Sequence, residues 1–198
     1  MNRRRLIWQK AQSGLPEGYT ALEYIQSSGE QYIDTGRKLT QDSDITIDFR
    51  IVGEINKSAG ILGSRESASK NNLTLFQVTY SVIFNVDFSE YQNHRFTANS
   101  SLERTKIRMN KAGVWVNDVL KKSWSDVADF ETPTNGLIFE IGNNNWTGNK
   151  AVMRLYGYTD GDAQQLVPCL DANGVPCLYD LIGKTALYNQ GAGSFTWG

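Results

Sequence analysis

The sequence predicts an all-β protein built as an antiparallel sandwich or barrel. Three observations carry this. Apolar and polar residues alternate with a period of two along most of the chain. Turn signals such as Ser28-Gly29, Asn110-Lys111-Ala112-Gly113, Asn135-Gly136, Asp160-Gly161-Asp162 and Asn173-Gly174 separate the alternating runs. No run of about 12 residues carries the apolar stripe of a helix.

The elements follow in order. "ALEYIQSSGEQYIDTG" (21–36) places two apolar runs around Ser28-Gly29 and reads as an opening hairpin. In that hairpin Leu22, Tyr24 and Tyr32 point inward and Glu23, Gln31 and Asp34 outward. "SDITIDFRIV" (43–52) is a half-buried strand, with Ile45, Ile47, Phe49 and Ile51 on one face and Thr46, Asp48 and Arg50 on the other. "YSVIFNVDF" (80–88) repeats this with Val82, Phe84, Val86 and Phe88, and "GLIFEIG" (136–142) with Leu137, Phe139 and Ile141. "KIRMNKAGVWVNDVL" (106–120) reads as a hairpin, and so does "VMRLYGYTDGDAQQLVPCL" (152–170), where Met153 and Leu155 alternate with Arg154, Tyr156 and Tyr158. "SWSDVADFET" (123–132) suits one short helical turn. No internal repeat is visible.

Composition narrows the function. The chain has 198 residues, the length of one domain, and 40% of them are hydrophobic, enough for a sizeable core. Lys plus Arg number 20 and Asp plus Glu 21, so the basic balance of a general nucleic-acid binder is lacking. No apolar run is long enough to span a bilayer, so membrane insertion is not expected. The N-terminal "MNRRRLIWQKAQSG" is basic, but its apolar stretch of Leu6, Ile7 and Trp8 is shorter than the core of a signal peptide. An export signal is therefore not expected. Cys169 and Cys177 are the only cysteines and His94 the only histidine, too few for a structural zinc site. Whether the two thiols are bridged is left open by sequence.

The ends of the chain carry a resemblance. "GLPEGYTALEYIQSSGEQYIDTG" (14–36) resembles the opening of LamG-like, concanavalin A-like modules of phage, prophage and gut-bacterial surface proteins. "LVPCLDANGVPCLYDLIGKTALYNQGAGSFTWG" (166–198) resembles their close: a Val-Pro-Cys strand, an Asn-Gly turn, Leu-Tyr-Asp, and a Gly-rich stretch ending in Phe-Thr. "YGYTDGDAQQLVPC" (156–169) is similar to their penultimate hairpin. Cys177 departs from the family's small residue. The resemblance implies a two-sheet antiparallel jelly-roll sandwich over residues 15–198, with the first and last strands close together and Tyr24, Tyr32, Tyr179, Tyr188 and Phe195 packed there. Gly191-Ala192-Gly193 would turn where a side chain clashes. Residues 1–14 form a separate arm. The family's calcium ligands are not identifiable in this sequence, so no cofactor is assigned and calcium binding is left open.

Candidate chemistry is thin on the catalytic side. Glycoside hydrolysis in this fold class needs two facing carboxylates, and the Glu-x-Asp-x-Glu run that supplies them elsewhere is missing. Asp42, Asp44 and Asp48 of "DSDITIDF" share a polar face without a Glu beside them, and "DFSE" (87–90) reads as a strand running into a loop. His94 in "EYQNHRF" reads as a loop histidine, and no nucleophile elbow or phosphate-cradling glycine loop accompanies it. No catalytic residue and no metal ligand is named.

Binding is better served. "IGNNNWTGN" (141–149) sets Asn143, Asn144 and Asn145 beside Trp146, amides for sugar hydroxyls and an indole for a pyranose face, or else turn formers and a cap. Trp115, between Val114 and Val116, points outward if the valines point in. With Trp124 it would form a sugar platform or an interchain contact, or equally cover a sheet face under a loop. In the arm, Arg3, Arg4 and Arg5 followed by Leu6, Ile7 and Trp8 suit docking into an acidic groove, against the alternative of a frayed end. The sequence thus predicts a non-enzymatic structural and binding module on the surface of a phage or prophage particle, as capsid decoration or tail component. Its partners would be other virion proteins through the arm and host or mucosal carbohydrate through the sandwich, in an oligomeric assembly. The alternatives are a glycoside hydrolase or lyase of the same fold, and a decoration protein that binds no sugar.

Overall fold

The computed structural model describes residues 14–53, 58–67, 69–78, 83–89, 92–97, 103–143 and 148–198. In chain order the strands are β1 (Thr20–Ala21), β2 (Ile25–Gln26), β3 (Ile33–Thr40), β4 (Ile45–Ile51), β5 (Ala59–Ser67), β6 (Lys70–Gln77), β7 (Ile83–Phe88), β8 (Gln92–Thr97) and β9 (Thr105–Asn110). They continue as β10 (Gly113–Val116), β11 (Val119–Ser123), β12 (Glu131–Ile138), β13 (Asn149–Lys150), β14 (Met153–Asp160), β15 (Gln164–Leu170), β16 (Pro176–Asp180), β17 (Thr185–Leu187) and β18 (Thr196–Trp197). No helix occurs among the described residues, and the turn expected at 123–132 is instead the end of β11 followed by irregular chain, bent at Asp126, that leads into β12.

The strands form two stacked sheets. The first runs β11-β10-β9-β4-β14-β15-β16-β17, with β1 on β15 and β2 between β14 and β18. The second runs β3-β12-β5-β6-β7-β8, with β13 on β5. Pairing is antiparallel except where β13 and the Gly142–Ser64 bridge run parallel to β5. This is the all-β two-sheet sandwich that the alternation predicts.

The core lies between the sheets and follows from that alternation. Ile45, Ile47, Phe49 and Ile51 of β4 are buried on one side, and Leu73, Leu75, Phe84, Val86 and Phe88 meet them from β6 and β7. The Phe49 and Phe84 rings touch edge to face with centroids 5.7 Å apart, which locks one sheet onto the other. Each such side chain contributes about 1.5–3 kcal/mol by leaving water. Trp124 is also in this core and 8% exposed. It therefore does not form an outward platform with Trp115: the chain after β11 folds back over the sheet edge and carries the indole inside.

Several local expectations change. Residues 21–36 do not form a hairpin. β2 pairs with β14 and β18 in the first sheet, whereas β3 pairs with β12 in the second, so Ser28-Gly29 is a crossing between sheets. Gln31 is buried rather than outward, because its amide ties that crossing: its oxygen accepts from the Ser28 N–H at 2.8 Å and its nitrogen donates to the Ala192 carbonyl at 3.0 Å. Tyr24 points away from the core, against Tyr156. Asn135-Gly136 is not a turn but lies within β12, where the register shifts. A register shift after Leu155 likewise returns Tyr158 to the core, off the Arg154 face. Phe139 has φ of 73°, in the left-handed region, which breaks alternation and buries Ile138 and Phe139 on the core side. His94 lies in β8, stacked on Phe96, rather than in a loop.

The chain ends close the sandwich as expected. β18 pairs with β2, and Phe195 enters the core against Phe139. A side chain at Gly191 would collide with the Glu30 carbonyl oxygen. A smaller apolar cluster sits on the outer side of β15 and β16, where Cys169, Cys177 and Tyr179 are covered by Leu15, Tyr19 and Leu181. The two cysteines face each other as free thiols with their sulfurs 3.4 Å apart. Tyr188 stays on the surface and donates to Asp171 at 3.0 Å.

Candidate ligand-binding face

In β6 and β7 the side opposite the core is polar yet buried. Cross-strand register sets Thr74, Asp87 and Asn93 in one row and Phe76, Asn85 and Arg95 in the next, with Asn72 opposite Arg65 at the far end. Asn72 and Thr74 are fully buried, and Asn85 and Asp87 nearly so, while Asn93 and Arg95 on the edge strand β8 reach solvent. The rows thus grade from an enclosed end to an open one.

Hydrogen bonds link the groups into a chain. Arg95 Nε donates to Asn85 Oδ1 at 3.3 Å, and Asn85 Nδ2 donates to Asp87 Oδ1 at 2.6 Å. Thr74 Oγ1 lies 3.0 Å from Asn72 Oδ1 and 3.4 Å from Asp87 Oδ2, and its single proton serves one of them. Burial pushes the Asp87 carboxyl above its usual range, against the opposing pull of Asn85, Arg65, Asn72 and Thr74. Burial also lowers the Arg65 guanidinium, opposed by Asp87. Among the described residues no carboxylate acts on Asp87. As expected, β7 ends at Phe88 and runs into a turn at Ser89, and Asp87 in this strand end is enclosed because β6 and β8 flank it on both sides.

The Asn-rich loop is rooted beside this face. Gly142 bridges Ser64, the Arg65 N–H donates to the Gly142 carbonyl at 3.0 Å, and Asn143 reaches the Glu66 carbonyl at 3.5 Å. A Cβ on Gly60 would come within 2.8 Å of Ile141, so Ile141 lies over Gly60 next to Phe76. The loop returns at Asn149 and Lys150 on the same strand β5. A polar cleft of about 400 Å³ opens there, lined in part by Glu30, Asn149 and Lys150. Asn144, Asn145 and Trp146 lie outside the described residues, as do Arg3, Arg4, Arg5, Leu6, Ile7 and Trp8 of the arm.

Trp115 points outward as expected, but on the other side of the sandwich. The Arg108 guanidinium lies 5.2 Å from its ring centroid and is held there by two bonds to Asp44, at 2.8 and 2.7 Å. The structure therefore separates Trp115 from the Asn143 loop. Asp42, Asp44 and Asp48 do share a polar face, and each carries an ion pair, to Lys111, Arg108 and Arg104. Among the described residues no group of three or more His, Cys, Asp and Glu side chains converges to hold a metal ion.

Sequence reasoning missed Asn72, Thr74, Asn85, Asp87 and Arg95. Their alternation with apolar residues looks like any solvated strand face. The one available signal was their chemistry: amides and a lone carboxylate stand where Lys, Glu or Thr would serve an exposed face.

No protein-family model matches the chain, and no curated protein matches it by sequence. Among solved structures, one match is a chain of botulinum neurotoxin type C, which enters cells in dependence on interaction with two ganglioside molecules. The TM-score is 0.38 at 11% identity, over 67% of this chain and 32% of that one, so this chain spans about a third of the toxin chain's length. A similarity at that level establishes neither a shared fold nor a shared function.

Proposed function

We propose that the chain is a non-enzymatic carbohydrate-binding sandwich and that the outer face of β6–β8 is its binding face. The observation that supports this is the hydrogen-bonded chain from Arg95 through Asn85 to Asp87, beside the ring of Phe76. A guanidinium, an amide and a carboxylate linked by hydrogen bonds across two neighbouring rows offer alternating donors and acceptors, which suit adjacent sugar hydroxyls, and an aromatic ring suits the apolar face of a pyranose. The Asn143 loop, with Asn144, Asn145 and Trp146, would extend the face. On the resemblance of both chain ends to LamG-like modules, the setting we propose is the surface of a phage or prophage particle, with residues 1–14 as the attachment arm.

Binding of the purified protein to a panel of bacterial polysaccharides tests this. Asp87→Asn, Arg95→Ala and Trp146→Ala should each weaken binding at least tenfold, and Trp115→Ala should leave it unchanged. Loss in Trp115→Ala alone would move the site to the first sheet. No binding by the folded wild-type protein would overturn the glycan reading and leave particle assembly. The raised Asp87 carboxyl also suits a proton donor for hydrolysis, but retention needs a second carboxylate about 5–5.5 Å away. No reducing sugar should be released from any polysaccharide that binds.

A further inference from the structure

On the outer face of the first sheet, several cations are matched with a carboxylate, but two neighbouring arginines among the described residues are not. Arg104 makes two bonds of 2.7 Å to Asp48, Arg108 two to Asp44, and Lys106 pairs with Asp118. Among the described residues the Arg50 side chain makes no hydrogen bond or ion pair, and its Nε is buried without a partner. Directly opposite it on β14 stands a second arginine, Arg154. Arg154 has no carboxylate either; its Nε donates to Gln26 at 2.8 Å and its guanidinium lies 4.3 Å from the centroid of Tyr24.

Like charges set directly across two strands destabilise a sheet, so this arrangement needs a compensating anion. Among the described residues the face does not supply it. The carboxylate two residues along β4 is Asp48, and both of its oxygens are occupied by Arg104. On the other flank stand Val52 and Val152, which are apolar. The row is also wide: Arg50, Arg154, Gln26 and Thr196 lie in register across four strands, presenting two guanidinium forks, an amide and a hydroxyl. Tyr24 and Tyr156 border it.

We propose that Arg50 and Arg154 form a binding site for the carboxylate of an acidic saccharide. Two planar forks fit an oxyanion in bidentate fashion. The amide, the hydroxyl and the bordering rings fit the rest of a sugar. A net charge of -1 lacks the broad basic field that binds nucleic acid. The choice of a saccharide rests on the function proposed above, while the choice of an anion does not. The site lies on the opposite side of the sandwich from Asp87.

The test measures binding of the full chain to polygalacturonate, dextran sulfate, neutral dextran and duplex DNA at low and at physiological salt. Wild-type protein should bind polygalacturonate at least tenfold more tightly than dextran or DNA, and more weakly as salt rises. Arg50→Gln and Arg154→Gln should each remove most of that preference, and Lys106→Gln, which removes a cation already paired with Asp118 on the same sheet, should keep it. Arg50→Gln should melt at or above the wild-type temperature, since a repulsion is relieved; melting well below it would make Arg50 a structural residue and overturn the proposal. Equal binding of DNA or of dextran sulfate would overturn the commitment to a saccharide carboxylate. Arginine variants that bind polygalacturonate as wild type does, while Asp87→Asn loses it, would overturn this site alone. Failure of every polysaccharide to bind would overturn the function proposed above as well.

Discussion

The two outward faces of the sandwich solve the same problem in different ways. On the first sheet, apart from the Arg50 and Arg154 pair, charged side chains stay half in water beside partners of opposite charge, as Arg108 does with Asp44 and Arg104 with Asp48. On the second, Asn72, Thr74, Asn85 and Asp87 are withdrawn from water and satisfied by one another, with a single carboxylate among amides and a hydroxyl. The difference shows in their protonation. Bonds from Arg108, opposed by burial, hold the Asp44 carboxyl below its usual range, while burial pushes the Asp87 carboxyl above it. A solvated face can afford charge because its neighbours and water share the load. An enclosed one keeps charge only where something else compensates.

The comparison depends on the sheets staying stacked, and the largest expected effect removes that condition. Phe84→Ala takes away the ring that meets Phe49 across the core and should cost about 3–5 kcal/mol, read by denaturant unfolding. Disruption of one face only, with the other intact, would show that the sheets are less coupled than the core implies.

A second pair of variants separates the faces by acid response. The lowered Asp44 carboxyl contributes stability above its unfolded value near pH 3.8, lost as pH falls through its lower folded value. The raised Asp87 carboxyl has the opposite sign: its contribution is full below pH 3.8 and is lost as pH rises through its higher folded value. Asp44→Asn should therefore lower the melting temperature near neutrality by about 2–4 °C and flatten the acid limb. Asp87→Asn should melt at or above wild type at pH 7 and fall below it only in acid. Thermal melts from pH 3 to pH 7 read both, and equal responses would erase the distinction.

The smallest effect tests whether the network on the second sheet is what makes its polar burial tolerable. The Tyr158 hydroxyl is buried in the core without a partner among the described residues, so Tyr158→Phe should stabilise by about 1 kcal/mol. A destabilised variant would mean that this hydroxyl is satisfied after all.

Much of the architecture was legible in the sequence. Ile45 to Ile51 alternate cleanly because β4 is half buried, and the hairpin of β14 and β15 is signalled by Asp160-Gly161. Errors arose where one local signal has two structural uses. Ser28-Gly29 turns the chain, but sequence does not say that the next strand joins the other sheet. Asn135-Gly136 marks a register shift as readily as a turn. Trp124 is a large ring followed by polar residues, and only the fold shows that it turns inward. The Asp87 face was invisible for a related reason: alternation separates the two sides of a strand but does not reveal which outer side is enclosed.

The loop that leaves β12 has both feet on one strand. Gly142 stands opposite Ser64 and Asn149 opposite Ala59, positions about 17 Å apart along β5. Neither foot sets the register of β5 against β6, which is fixed independently from Ala59 to Ser67. Residues between the feet can therefore be exchanged as a cassette: a segment of the same reach could be grafted onto this scaffold and presented beside the Asp87 row without re-threading either sheet.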